Sequence, residues 1–429
     1  MQLSSSAEEL EPLVGQRDDE VANAIRVTVL AGGIGILGSA ATELIVFTLD
    51  KIDADPTAFS ETETVYCQCL LWIGWCLASS TYMLVIDRFG RKAPCYTLAL
   101  IAIIAGIAST RATQVWFYGV AMFVVGYTLP PSGQIGFLLV QETVVERLRP
   151  ACQIAWLMCY SLGLIIMAVL CWTVTASMNW RLETALWYLP MLVIVLMGIV
   201  FASESPAYTT RDKGSAATAE AAQGEGWSEL RILLGEGLWR TTALTCVCWT
   251  GVCASYYGLS YSSENLSSNV YLNIILFSAV DIVSWGLTGP TLLWAGNKDS
   301  QVYGFLGSAV SLFLAAMMPT GSALEVGCAL AARLCLNLAW STVYLLIWRC
   351  FPPHCRSAAI GVSNGVARLF TSAAPLCALV PTGLSYSVLA ALCGAAMVAT
   401  WLLDLPPGAC EAPPLARAEE GHAKAKAVS

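Results

Sequence analysis

VIDRFGRKAP, residues 85–94, packs an acid, two arginines, a glycine and a lysine between two long apolar runs. Gly90 permits a sharp reversal of the chain, because without a Cβ it enters backbone conformations that other residues avoid. Arg88, Arg91 and Lys92 carry charged heads that belong in water. The stretch therefore reads as a tight polar turn between two membrane-crossing helices, with its basic residues on the cytoplasmic face. Asp87, at the end of the preceding run, is placed to pair with a neighbouring helix or with its dipole.

Composition supplies the lipid-facing surface that this reading needs. Of 429 residues, 57% are hydrophobic and 12% charged, and the mean hydropathy is +0.65. A soluble domain carries about 25% charged residues. The net charge of -8 and the pI near 4.9 argue against nucleic acid as a partner. Most of the 17 cysteines, such as Cys76, Cys171, Cys246 and Cys335, lie inside apolar runs and act as small hydrophobes. There is no paired CxxC pattern, and the two histidines, His354 and His422, are too few and too far apart for a metal or a triad. No metal, cofactor or enzyme activity is expected. Residues 1–24 are acidic and polar with no basic leader segment, so no cleavable signal peptide is expected.

Roughly twelve apolar runs are long enough to span a bilayer. They cover 25–48, 68–86, 93–111, 114–141, 152–175 and 182–203, then 241–261, 268–293, 302–320, 323–350, 356–380 and 383–404. The expected organisation is a cytoplasmic tail over 1–24, a six-helix bundle over 25–203 and a cytoplasmic linker over 204–240. A second six-helix bundle over 241–404 and a disordered cytoplasmic tail over 405–429 complete it. With the N-terminus in the cytoplasm, most of the 22 basic residues fall on that side. Asn265-Leu266-Ser267 is a glycosylation sequon by pattern, in a very short outer loop.

An acid followed by Arg-x-Gly-Arg-Lys after the second of twelve spans resembles the signature loop of the major facilitator superfamily. In that family the loop latches the two halves and releases when the cytoplasmic side opens. The resemblance implies this gating role for Asp87, Arg88, Gly90, Arg91 and Lys92. QETVVERLR, 141–149, is similar to the acid and arginine that follow helix 4 in sugar-porter-like members, which implies that Glu142 and Arg149 join the network. SESPAY, 203–208, resembles the Pro-Glu-Ser-Pro-Arg-Trp block, so Glu204 joins it too, while Ala207 stands where arginine is expected. NWRLE, 179–183, resembles the Trp-Arg element that opens helix 6.

YYGLSYSSENLSSNVYLNIILFSAVDI, 256–282, looks like helices 7 and 8 of the organic ion transporter family, and AIGVSNGVARLFTSAAPL, 359–376, like helix 11 of its organic anion branch. The chain departs from that family at several points. Its first outer loop, 49–66, is short, as in synaptic-vesicle-protein-like relatives. The second copy of the signature loop is reduced to AGNKDSQ, 295–301. Arg349 replaces an acid, and Ala121 and Met122 occupy the place of a helix-4 arginine.

Four ionisable residues fall inside spans: Glu43, Asp281, Arg333 and Arg368. Each costs about 2.5–3.5 kcal/mol on insertion scales, so such groups face a cavity or pair with one another. Arg368 shares a helix face with Asn364, Thr371 and Ser372. Its planar fork suits a carboxylate or sulfate; the competing reading is a structural pair with Asp281. Trp285 lies one turn beyond Asp281, where an aromatic face can stack on a ring or a cation. Arg333, Trp340 and Tyr344 form one stripe, with Arg333 either in the substrate site or snorkelling to the outer interface. Glu43 is a candidate for proton coupling, or pairs with Arg333 or the outer surface.

These observations predict an all-α membrane protein with twelve spans in two six-helix bundles, as in the major facilitator fold. Its expected work is secondary transport of a small organic ion, favouring organic anions, by alternating access and without a nucleotide or other cofactor. The partners are that ion and the lipid bilayer, and the chain is expected to be a monomer in the plasma membrane rather than an internal one, with both termini cytoplasmic. A cation, zwitterion or sugar porter remains open, as does a non-transporting receptor or scaffold with the same fold.

Overall fold

The computed structural model describes residues 19–35, 38, 43–209, 231–235, 237–262, 269–352 and 355–404. The side chains of 80, 82–88, 150, 153–154, 207, 348 and 357 are not among those described. The sequon at Asn265 and the expected tail over 405–429 lie outside these residues, as does 1–18 of the expected N-terminal tail; 19–24 is helical and opens α1. The chain divides into two compact units, 1–219 and 220–429. Among the described residues there is no strand.

Unit 1 contains α1 (residues 19–35), α2 (Ile45–Asp53), α3 (Glu61–Phe89), α4 (Lys92–Ser109), α5 (Val115–Thr143), α6 (Arg149–Thr173), α7 (Trp180–Phe201) and a short α8 (Pro206–Thr209). Unit 2 contains α9 (Trp239–Ser262), α10 (Val270–Met317), α11 (Ala323–Cys350), α12 (Arg356–Thr371), a 3-10 turn over Ala374–Ala378, and α13 (Thr382–Leu402). Seven segments among the described residues are long and apolar enough to cross a membrane: Lys92–Ser109, Val115–Thr143, Ala155–Thr173, Trp180–Phe201, Val270–Met317, Ala323–Ile347 and Thr382–Leu402.

The runs 268–293 and 302–320 are two helical arms, grouped here as α10, that meet at Gly296, where the backbone leaves helical geometry (φ 76, ψ -178). AGNKDSQ joins them through a tight break at its glycine. One boundary differs from the sequence reading. The run 356–380 is helical only to Thr371, and the chain then tightens into the 3-10 turn. Pro375 in that turn has no backbone N–H to extend the ladder.

Local sequence explains several helix starts. Ser60 and Glu63 cap α3 reciprocally: the Ser60 N–H donates to Glu63 Oε2 at 3.0 Å, and the Glu63 N–H to Ser60 Oγ at 3.4 Å. The Asn179 side chain accepts from the Arg181 N–H at 2.8 Å and caps α7. In unit 1, α3 packs on α5 and α4 on both α5 and α7; in unit 2, α10 packs on α11 and α13, and α9 on α12 and α13. The α3–α5 contact is backbone on backbone. A Cβ at Gly126 would run into the Leu71 carbonyl, and one at Gly74 would lie 2.9 Å from the Tyr127 nitrogen. Small residues are what allow membrane helices to approach so closely.

The end of unit 1 that holds the short loop 54–60 is tied by charge. Lys51 Nζ lies 2.8 Å from Glu183 Oε2 and donates to the Thr175 carbonyl at 3.0 Å. Asp55 Oδ2 accepts from Trp180 Nε1 at 2.9 Å and lies 3.7 Å from Arg181 Nε. Arg181 also donates to the carbonyls of Thr110 and Ala112 at 2.9 and 2.7 Å.

Candidate functional site

α3 ends at Phe89 and α4 begins at Lys92, so the reversal is made within two residues. Gly90 has φ 83, and a Cβ there would lie 2.6 Å from Glu204 Oε2. The position excludes a side chain on both counts. The backbone N–H groups of Arg91 and Lys92 donate to Glu204 Oε1 at 2.9 and 3.1 Å. These donors at the start of α4 have no partner inside the helix, and the helix dipole favours a carboxylate at that end. Arg91 Nε lies 3.0 Å from Glu142 Oε2, and the Ser205 hydroxyl donates to the same carboxylate. Gly90, Arg91, Lys92, Glu142 and Glu204 are thus brought together, with Ser205 as a member that the site reading from sequence omitted. Arg149 turns to the Val144 carbonyl at 3.0 Å, next to the end of α5. The side chains of Asp87 and Arg88 lie outside the described residues.

The core of unit 2 holds a second polar cluster. Asp281 on α10 is fully buried, and Arg333 on α11 is 1% exposed. Arg333 Nε donates to Asp281 Oδ1 at 2.8 Å and Nη2 to Oδ2 at 3.0 Å. Asn337 Nδ2 donates to Oδ1 at 2.5 Å, and the Tyr256 hydroxyl to Oδ2 at 2.8 Å. Arg333 Nη1 reaches the Tyr256 carbonyl and Ser260 Oγ at 2.9 and 2.8 Å. The guanidinium carbon sits 3.3 Å from the Tyr256 ring centre. Both charges are therefore compensated at short range, as burial requires.

This geometry corrects two readings. Asp281 pairs with Arg333 rather than Arg368, because Arg333 and Asn337, one turn apart on α11, bracket the carboxylate. Arg333 does not snorkel to an interface, since its fork is occupied inside the unit. Glu43, in unit 1, is 1% exposed, and the Tyr160 hydroxyl donates to its Oε1 at 3.3 Å. Tyr256, Ser260 and Asn337 were missed as site residues. Two signals were present: Tyr256 and Ser260 stand four apart on α9, and Asn337 stands four after Arg333.

Arg368 on α12 is 3% exposed. Its Nε donates to Asn364 Oδ1 at 3.2 Å, the i-4 partner that the face analysis predicts. Its guanidinium carbon lies 5.6 Å from the Tyr257 ring centre and 6.0 Å from that of Trp340. Trp340 also meets Tyr256 (5.3 Å) and Trp249 (6.5 Å), and Tyr344 meets Trp249 at 4.6 Å. The Arg333–Trp340–Tyr344 stripe thus runs from the ion pair into an aromatic wall. Trp285 is half-buried, and its enclosed Nε1 has no hydrogen-bond partner among the described residues.

The model of the Major Facilitator Superfamily matches residues 28–375. The chain belongs to this superfamily. As a facilitator protein it is all-α among its described residues, and it is a multi-pass membrane protein. It is 24% identical over 347 residues to an organic cation transporter-like protein of Drosophila melanogaster, covering 71% of this chain and 60% of that relative. It is also 24% identical over 323 residues to organic anion transporter 3 of Oryctolagus cuniculus, covering 68% and 59%. The chain thus spans about three fifths of the length of these curated relatives. The facilitator fold is shared with the xylose transporter XylE from E. coli in its inward-open conformation. The TM-score is 0.70 at 17% identity, covering 90% of this chain and 97% of that one.

Proposed function

We propose that this facilitator protein is a secondary transporter of small organic ions, with organic anions as its preferred substrates. The proposed architecture is twelve spans in two six-helix halves, with alternating access to a site near mid-membrane. The observation that carries the reading is the buried guanidinium of Arg368, held by Asn364 and flanked by the faces of Tyr257 and Trp340. A buried cation attracts a carboxylate or sulfate more strongly than a cation in water does, and aromatic faces suit an apolar organic body. Asp281 is unsuited to hold an organic cation, because four donors already occupy its carboxylate. The relatives are named for cation and for anion transport, so the preference for anions rests on these side chains.

In this reading Trp285, Trp340, Tyr344 and Asn364 contact the organic body, and Asp281 and Arg333 brace the site. Glu43 is the coupling candidate. Asp87, Arg88, Gly90, Arg91, Lys92, Glu142, Arg149 and Glu204 form the cytoplasmic gate. Both termini face the cytoplasm, the membrane is the plasma membrane, and an ion gradient or exchange drives transport.

Counterflow uptake in proteoliposomes, with a panel of aromatic carboxylates and quaternary amines, tests the proposal. Arg368→Lys is expected to weaken anion uptake, because a point charge does not reproduce a bidentate contact. Arg368→Asp is expected to abolish it. Unchanged anion uptake by a well-folded Arg368→Ala variant overturns the anion reading.

A further inference from the structure

The two units carry corresponding glycine turns whose hydrogen bonding is opposite. At Gly90 the N–H groups of Arg91 and Lys92, the Arg91 guanidinium, the Ser205 hydroxyl and the carboxylates of Glu142 and Glu204 all have partners. At Gly296 the backbone has nearly the same positive φ, 76 against 83. The residue after the glycine is Asn297 where unit 1 has Arg91, and Gln301 follows one turn later on the same helix face. Asn297 is 4% exposed and Gln301 0%. All four amide atoms of these two side chains, Asn297 Oδ1 and Nδ2 and Gln301 Oε1 and Nε2, are enclosed and make no hydrogen bond among the described residues.

Among the described residues, no carboxylate accepts from the N–H groups of this turn as Glu204 does at the other. Asp404, just beyond α13, lies 3.1 Å from Arg240, and Lys298 Nζ donates to the Leu403 carbonyl at 2.7 Å. A Cβ built on Gly296 would meet nothing within 4 Å, whereas at Gly90 it would strike Glu204. The Gly296 turn is therefore roomy on its glycine side and unsatisfied on its amide side. Buried carboxamides without partners are costly in a dry interior. A conformation that supplies those partners is favoured by comparison.

We propose that the turn at Gly296–Gln301 is a hinge built into unit 2. The second arm of α10 swings about Gly296 and exposes the Asn297 and Gln301 carboxamides to water, so the turn is dry in the conformation described here and hydrated in another. Gly296 can absorb such a change because it already occupies a region that only glycine adopts easily. The ties that Ser300 Oγ makes to the carbonyls of Thr291 and Gly296 would be the first to lengthen.

Hydrogen–deuterium exchange on the full chain in lipid nanodiscs tests this without reference to any substrate. Backbone amides of 294–301 are expected to exchange at least about tenfold faster than those of 88–95, as low-stability segments do. Replacing the amides by apolar groups of similar size, in Asn297→Leu with Gln301→Met, is expected to raise the thermal midpoint by a few degrees and to slow exchange at 294–301. The single variant Gln301→Met should show the same direction, which guards against a packing fault in the pair. Equal protection of the two turns overturns the hinge. A lowered midpoint in both the pair and the single variant overturns it as well, because the carboxamides would then have had partners.

Discussion

Asp281 and Arg333 use each other fully: both carboxylate oxygens meet the guanidinium, at 2.8 and 3.0 Å, with 0% and 1% of the two side chains exposed. Removing one partner of such a pair strands a charge in a dry interior, which costs about 3–5 kcal/mol. Asp281→Asn and Arg333→Leu are each expected to lower the thermal midpoint in detergent sharply. Asp281→Leu combined with Arg333→Met should recover much of the loss, since no charge is left stranded. Additive losses in the double variant would contradict the pairing.

Gly90→Leu meets two penalties at one position. A side chain at positive φ costs roughly 1–2 kcal/mol, and its Cβ would also displace Glu204 from the N–H groups of Arg91 and Lys92. The variant is expected to be less stable than Gly90→Asn, which tolerates that backbone region but still crowds the carboxylate. Equal midpoints for Gly90→Leu and the parent protein would remove Glu204 as the lock on this turn. In a transport assay, slowed turnover with near-normal binding is the expected signature of its proposed gating role.

The loop at Asp55 gives a pH dependence of defined sign. Bonds from the Thr57 hydroxyl and the Thr57 N–H lower the Asp55 pKa below its ordinary 3.8, with smaller help from Trp180 and Arg181. A carboxyl whose pKa falls on folding stabilises the fold above its ordinary value and loses that contribution as pH drops through the lowered one. Asp55→Asn is therefore expected to be less stable than the parent at neutral pH. The gap should close as pH falls from 3.8 downward. A gap that stays constant with pH would show that Asp55 acts through packing alone.

Topology is open to labelling. In a background without reactive cysteines, single cysteines at 55–60 and in 210–225 are expected to label from opposite faces of the membrane. Positions 146 and 420 should label with the second group. Labelling of residues 57 and 146 from one face would reverse the expected course of α3 to α5.

The fold was legible because membrane helices announce themselves by length and apolarity, and turns such as DRFGRK by local charge. The Gly90 cluster was largely legible too, since its members lie at helix ends where polar residues stand out. The α10 junction was not. AGNKDSQ is polar enough to read as a longer loop, and only backbone geometry shows that the break between the two arms is confined to Gly296. The partner of Asp281 was also not legible, because the choice between Arg333 and Arg368 depends on which faces of α10, α11 and α12 meet. Asn337 and Tyr256 look like ordinary polar interruptions until Asp281 is placed between them.

The ties at the Asp55 end of unit 1 bear on stiffness. Lys51 and Glu183 stand 132 positions apart in the chain, and Asp55 and Trp180 stand 125 apart. Two pairs so distant in sequence, fixed within a few residues of each other, leave the ends of α2 and α7 little freedom to slide. Arg181 extends the same restraint to the α4–α5 connection through Thr110 and Ala112. That end of the unit should respond to a push as a lever does, moving as one piece. Distance probes placed at residues 57, 111 and 178 would then keep their mutual spacing whether or not the rest of unit 1 rearranges.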